Sequence, residues 1–306
     1  MRAFLKRFNS AELLTFIYIF LTLVYILVFF GKIENPYCLL FYRAVFSAAL
    51  LLTMFVSEIF DNGFTGFIRY LLPFSMIVYW YPETYSLGHA GSETLPGGIT
   101  VSNIDHVFEH ADRLLFGCSP AMEFSKAFPQ AWVSEIMYFG YFSYYFIFLF
   151  SFAYFFFVKP ACAEKVMFCC LCSFLIFYVI FIFVPVAGPQ FYYSAPDSQV
   201  PDGYFFASLM RGIQDAGEKP TGAFPSSHVG LTIIIMFLLF RHARKYFYAI
   251  LPVAIVLSAS TVYIKAHYLT DVIAAFVAAP LVFMSSRRIF VLFNRLDLRR
   301  ISSRNN

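Results

Sequence analysis

The sequence predicts an all-α fold: a polytopic membrane helical bundle of about eight transmembrane helices with interfacial helices in its outer loops. Three observations predict it. The 306-residue chain is 60% hydrophobic and 13% charged, with 42 Phe and 21 Tyr, whereas soluble domains are about 45–50% apolar and about 25% charged. Its apolar residues gather in runs approaching or exceeding the roughly 18–20 residues that cross about 30 Å of hydrocarbon. Its basic residues divide unevenly between alternate sides of those runs, as the cytoplasmic excess of Lys and Arg in membrane proteins requires.

The first run, residues 13–30, follows Arg2, Lys6 and Arg7, but it exceeds a secretory signal core and no small-residue cleavage pattern follows it. It therefore reads as a transmembrane helix. Further spans are read at residues 37–56, 64–80, 133–158, 166–184, 228–240, 247–263 and 271–284, with Pro73 interrupting the span at 64–80. With the N-terminus inside, fifteen Lys and Arg fall on the inner side against six outside (Lys32, Arg113, Lys126, Arg211, Lys219 and Lys265), and Arg43 lies within a span. Both termini are thus expected in the cytoplasm. The implied location is the bacterial inner (cell) membrane, with the functional site on the outer, periplasmic side.

Two outer loops, 81–132 and 185–227, are too long to be simple connectors. Gly and Pro punctuate both, at Pro96-Gly97-Gly98, Gly188-Pro189 and Pro201-Asp202-Gly203. Within the first, Ile104, Val107, Phe108, Leu114 and Leu115 recur at helical spacing, which predicts an amphipathic helix over 104–116 at the membrane surface. Residues 1–306 read as one integral membrane domain, with a catalytic core over 133–284 and a basic cytoplasmic tail over 285–306 lying on the anionic inner leaflet. The net charge of +4 is scattered between spans rather than arranged in a stripe, so it points to topology and not to nucleic acid. Cys162, Cys169, Cys170 and Cys172 fall at or inside a span, where a disulfide framework is implausible; Cys38 and Cys118 lie outside it, with no pairing deducible.

Ionisable residues at the ends of apolar helices are costly and mark functional sites. Two such places stand out. Gly222-Ala223-Phe224-Pro225-Ser226-Ser227-His228 turns directly into an apolar helix. A helix start offers unpaired N–H groups and the positive end of the macrodipole to an anion, Ser226 and Ser227 add hydroxyls, and His228 on the first turn is placed to give a proton. Read alone, the motif equally fits a serine cap beside an interfacial histidine. In the second place, His267 and Asp271 stand four apart at the mouth of another apolar helix. A carboxylate at one imidazole nitrogen fixes the tautomer and makes the other nitrogen more nucleophilic. A local ion pair fits this second motif as well. Both places fall on the same outer side of the topology, which favours function over coincidence.

Pro225-Ser226-Ser227-His228, followed 39 residues later by His267 and then Asp271, resembles the second and third signature motifs of the type-2 phosphatidic acid phosphatase superfamily. The resemblance covers residues 184–280, with a looser similarity through Asp112-Arg113-Leu114-Leu115-Phe116-Gly117 that looks like the branch containing inositol phosphorylceramide synthase, sphingomyelin synthase being more distant. It implies a core six-helix phosphatase-type bundle and a membrane lipid substrate, with no cofactor and no metal. It also implies catalytic roles: His267 as the nucleophile that forms a phosphohistidine, Asp271 as its orienting and charge-balancing partner, His228 as the acid for the leaving alcohol. Ser226, Ser227 and Gly222 would line the phosphate pocket.

The chain also departs from that pattern. The first motif, a Lys and an Arg-Pro pair, has no match; the arginine expected six positions before His267 is Thr261; and the glycine expected before His228 is Ser227. A phosphate dianion still needs cationic partners. Lys219, nine residues before His228, ranks first, ahead of Arg211, Lys265, Arg43 and Arg113. Asp105, His106, Glu109 and His110 imitate a metal cluster, but a solvated amphipathic helix is the favoured reading. The expectation is a lipid phosphate phosphatase using a phosphohistidine on a lipid phosphate or pyrophosphate, with a phospho-head-group transferase as the alternative. A transporter would instead place its ionisable groups near mid-membrane.

Overall fold

The computed structural model describes residues 7–89, 94–95, 99–100, 103–194 and 199–302. Arg2, Lys6, Arg304 and Pro96-Gly97-Gly98 lie outside the described residues. Among the described residues the regular structure is helical apart from one two-residue antiparallel pair, Thr94–Leu95 with Ile99–Thr100. The helices are α1 (Ser10–Val28), α2 (Pro36–Ile59), α3 (Gly63–Gly88), α4 (Asp105–Phe116), α5 (Pro120–Ala127) and α6 (Ala131–Ala153, continued by a π-turn Tyr154–Val158). They are followed by α7 (Pro160–Phe183), α8 (Pro189–Tyr192), α9 (Phe205–Gly217), α10 (Ser227–His242), α11 (Arg244–Tyr263) and α12 (Leu269–Ser302).

Among the described residues, six helical stretches are long and apolar enough to cross a membrane: Ser10–Val28, Pro36–Ile59, Ala131–Val158, Pro160–Phe183, Arg244–Tyr263 and Leu269–Asn294. The other two spans expected from the sequence are also helices. α3 runs 26 residues straight through Pro73 but falls outside that apolar set. α10 is apolar but only 16 residues long, about 24 Å at 1.5 Å per residue against about 30 Å of hydrocarbon. The chain is thus a polytopic, all-helical integral membrane protein. Its spanning helices turn large apolar side chains outward, among them Phe20, Leu21, Phe41, Phe146 and Leu149, as surfaces solvated by lipid do. α7 is the exception, with 78% of its span buried against 22–44% for the other five; it is a core helix.

Backbone contacts divide the chain into two compact units. The first comprises residues 1–80, 153–176 and 281–306. Its polar anchor is Glu12, fully buried in the first turn of α1. Asn9 and Glu12 form a reciprocal capping box, and Arg69 grips the carboxylate with Nε at 2.7 Å and Nη2 at 2.5 Å. Tyr18 and Phe46 pack on Trp80, and Phe168 on Phe290.

The second unit comprises residues 81–152 and 177–280 and holds every residue singled out above for catalysis. Three apolar clusters build it: around Tyr138, Tyr141 and Tyr263; around Val229, Val262 and Ala275; and around Val186, Ala223 and Tyr268. Glu135 on α6 accepts from the backbone N–H groups of Tyr204, Phe206 and Ala207 at 2.7, 2.7 and 3.3 Å. A carboxylate there satisfies the orphan donors that open α9.

The amphipathic helix over 104–116 exists, but its faces are the reverse of a solvated one. Asp105, Glu109 and Asp112 are buried, while Leu114 is 77% and Leu115 64% exposed. The acidic stripe faces protein because it has backbone donors to satisfy there, and the leucines face outward as lipid-facing residues do.

Removing Arg69 would leave the Glu12 carboxylate buried without its cation. Arg69→Ala is expected to destabilise the protein by about 3–5 kcal/mol, read as a fall in the thermal unfolding midpoint in detergent. An unchanged midpoint would show that the pair does not anchor this unit.

Candidate functional site

His228 and His267 meet. His267 Nε2 lies 3.5 Å from His228 Nδ1, with ring centroids 5.7 Å apart and planes at 64°. α10 begins where Ser226 accepts from Val229 N–H at 3.4 Å, which sets His228 on the first turn. The His228 ring is flanked by Tyr141 and Tyr144, each with its centroid at 4.7 Å. His267 sits in the short connection between α11 and α12, its own N–H donating to Thr261 O at 3.0 Å. It is only 3% exposed.

One contact decides which nitrogen of His267 can react. Nδ1 lies 2.7 Å from the carbonyl oxygen of Ala223. A carbonyl can only accept, so Nδ1 carries the proton and Nε2 presents a lone pair toward His228. Asp271, fully buried in the first turn of α12, stands 3.7 Å from Nδ1. Its Oδ2 accepts from Tyr268 N–H at 2.8 Å, and Oδ1 has no hydrogen-bond partner among the described residues. The orienting hydrogen bond expected from Asp271 thus comes from Ala223, and Asp271 is left as a nearby counter-charge with acceptor capacity to spare.

The residues that hold this arrangement are two that the sequence named in other settings: Asp105, read as part of a solvated helix, and Asp112, named only within the looser similarity at 112–117. Asp112 accepts from Leu269 N–H at 3.0 Å and Thr270 N–H at 2.9 Å, capping the helix that carries Asp271. Asp105, seven residues earlier on the same face of α4, accepts from Ala187 N–H at 2.9 Å, Gly188 N–H at 2.8 Å and the Tyr268 hydroxyl at 3.2 Å. Burial raises the pKa of both carboxyls, against the hydrogen bonds that lower it. Gly188 (φ +98°) would press a Cβ within 2.5 Å of Ala266 O, next to His267. Gly222 (φ +78°) would press one within 2.9 Å of Tyr81.

The two imidazoles share a small cavity of about 10 Å³, lined also by Glu218, Gln190, Tyr81 and Tyr141. That is about the room for one water molecule. No Lys or Arg lines it among the described residues. Lys219, expected to supply the cation, is exposed and absent from this wall; its neighbour Glu218 takes the place. Glu218 accepts from Gln190 Nε2 at 2.6 Å, Gln214 Nε2 at 3.3 Å and Tyr141 OH at 3.4 Å. Of the expected phosphate residues, Gly222 lines the cavity, whereas Ser226 and Ser227 are buried at the start of α10. Thr261 is fully buried with its hydroxyl on Ser258 O, so it offers no substitute for an arginine.

Spanning apolar helices and two apposed imidazoles at helix mouths describe an integral membrane protein with a histidine-based site. A family model of the PAP2 superfamily matches residues 106–285, more than half of the chain, and the chain belongs to that superfamily. The match is to the superfamily as a whole and does not single out the synthase-like branch. No curated protein and no solved structure matches the chain. Membership supports a lipid-phosphate function of the phosphatase or phosphotransferase type in general.

Asp112→Ala is expected to destabilise the protein by about 1–2 kcal/mol, the usual worth of a helix cap, and to lower activity as α12 loses its register. Thermal unfolding together with turnover checks both effects; full activity would leave the cap without a positioning role. Burial, the largest influence on Glu218, lifts its carboxyl above the ordinary value of 4.5, with Gln190 and Gln214 opposing. A raised folded pKa contributes stability that is complete below the unfolded value and is lost as pH rises through the folded one. Glu218→Gln should therefore gain stability relative to the parent protein as pH climbs above 4.5. A difference independent of pH, measured by unfolding across that range, would contradict the burial.

Proposed function

We propose that the protein is a membrane-embedded lipid phosphate phosphatase that works through a phosphohistidine on His267. The observation that supports it best is the Ala223 carbonyl on His267 Nδ1, which leaves Nε2 unprotonated 3.5 Å from the His228 ring. In the first step Nε2 attacks the phosphorus of a lipid phosphate or pyrophosphate. The P–N bond forms, the bond from phosphorus to the leaving oxygen breaks, and that oxygen takes a proton from His228. The positive charge that develops on the His267 ring is balanced by Asp271 at 3.7 Å. Water then attacks the phosphohistidine as His228 takes up its proton, releasing phosphate and restoring both imidazoles.

Gly222, Ser226 and Ser227 cradle the phosphate in this reading, at the positive start of α10. Lys219 is exposed and takes no part unless its loop rearranges. The catalytic core is residues 133–284 together with α4, and 285–306 form the basic tail. The Lys and Arg imbalance supports an outward-facing site in a bacterial inner membrane, with both termini cytoplasmic.

One observation favours the alternative, a phospho-head-group transferase. A polar cavity of about 870 Å³ shares Gln190 with the histidine cavity, room enough for an acceptor alcohol.

Purified protein incubated with phosphatidate, polyprenyl pyrophosphate, phosphatidylglycerophosphate and a phosphoinositol lipid, with and without free inositol, separates the two. Phosphate release in water alone is the expected result; product formed only with inositol supports the transferase. His267→Ala should abolish turnover along with an acid-labile, base-stable phosphoenzyme, and His228→Ala should slow it by about 10²–10⁴. Turnover that survives loss of both histidines would sink the mechanism.

A further inference from the structure

The 870 Å³ cavity carries what the histidine cavity lacks. Among the described residues, Lys126, Arg211 and Lys265 line it together with one carboxylate, Asp202. The cavity is built rather than incidental. Lys265 is 2% exposed at a positive φ of 65°, two residues before His267, with Nζ on Gln199 O at 2.5 Å. The carbonyl of Lys265 accepts from Gln190 N–H at 2.9 Å. The Gln190 side chain in turn donates to Glu218 in the histidine cavity and accepts from Gln214, which lines the larger one. One glutamine thus forms part of the wall of both spaces.

Arg211 is set for exchange. Its Nη1 is on Asp202 at 2.7 Å, but that carboxylate side chain is 88% exposed, so the pair is weak and a better anion can displace it. Nε lies 3.5 Å from the Tyr138 hydroxyl, and Nη2 reaches the carbonyls of Val200 and Pro201 at 3.4 and 3.5 Å. Lys126 pairs with Glu123 at 3.3 Å, both side chains more than half exposed. A cavity whose described walls carry three ammonium or guanidinium groups, amide donors and the replaceable Asp202 suits an anion, and guanidinium forks suit phosphate.

We propose that this cavity receives a second phosphate, the one carried by the leaving group on the lipid side of the terminal phosphorus that reacts at His267, so that lipids with two phosphates are taken in preference to lipid monophosphates. The inference rests on His267 being the reacting residue. It also accounts for the missing motif cations: the charge that anchors the substrate stands one phosphate away from the reacting centre. The second phosphate is either anhydride-linked, as in a polyprenyl pyrophosphate, or ester-linked, as in phosphatidylglycerophosphate.

Two measurements on the full-length protein test it. In turnover, kcat/KM for each of these two lipids is compared with that for phosphatidate. Arg211→Gln, and separately the exposed Lys126→Gln, should lower that ratio, Arg211→Gln by about tenfold, the scale of one charge-assisted contact. The lipid whose ratio falls identifies the linkage. A ratio that does not move, or a wild-type preference for phosphatidate, overturns the proposal. In binding, inorganic pyrophosphate and inorganic phosphate are titrated into His267→Ala by calorimetry. Pyrophosphate should bind more tightly, and adding Arg211→Gln should remove that advantage; equal affinities overturn the proposal. If the wild-type protein turns over no lipid yet the pyrophosphate advantage appears and is lost with Arg211→Gln, the histidine mechanism falls and the anion cavity stands.

Discussion

A single hydrogen bond, from His267 Nδ1–H to the Ala223 carbonyl, sets the chemistry open to the site. It assigns the proton to one nitrogen and the lone pair to the other, and it ties the connection before α12 to the loop that leads into α10. Much of the nearby structure keeps those two segments in place. Ala223 N–H is itself held by Val186 O, and Ser226 N–H by Asp271 O. Asp105 holds the neighbouring Ala187 and Gly188 amides together with the Tyr268 hydroxyl. Without these backbone restraints the two rings would be separate interfacial histidines.

The polar balance of the site is unusual for a place meant to receive phosphate. The walls of the histidine cavity offer Glu218, amides and phenols, while the cations stand in the adjoining space. With no cation among its described walls, the histidine cavity offers little hold to stray anions. In the proposed reading the cations meet the second phosphate rather than the one that reacts. Gln190, in the wall of both spaces, hydrogen-bonds to Glu218 and Gln214.

The sequence made the fold legible because the bilayer demands long apolar helices, and these announce themselves by composition alone. All eight expected spans are helices, but six are long and apolar enough to cross a membrane: α3 falls short in hydropathy and α10 in length, while α3 also runs eight residues beyond Trp80 and α12 runs on past Met284. The meeting of His228, His267 and Asp271 was legible because each is an ionisable residue set at the mouth of an apolar run. Asp105 and Asp112 were not. Their seven-residue spacing looks like the wet side of an amphipathic helix, and sequence does not say that backbone N–H groups of distant loops need them. Lys219 and Glu218 show the same limit at single-residue scale: adjacent positions at the end of α9 point differently, and proximity in sequence to His228 does not choose between them.

The reversed faces of α4 carry a consequence for how the protein is handled. Leu114 and Leu115 look outward while the acidic stripe clasps the loops that bear the reacting groups. The orientation of that helix is therefore partly a property of the solvent around it. Lipid or detergent tails hold the leucines out and the aspartates in; water rewards the opposite roll. The environment that dissolves the protein is thus also a component of its active-site geometry.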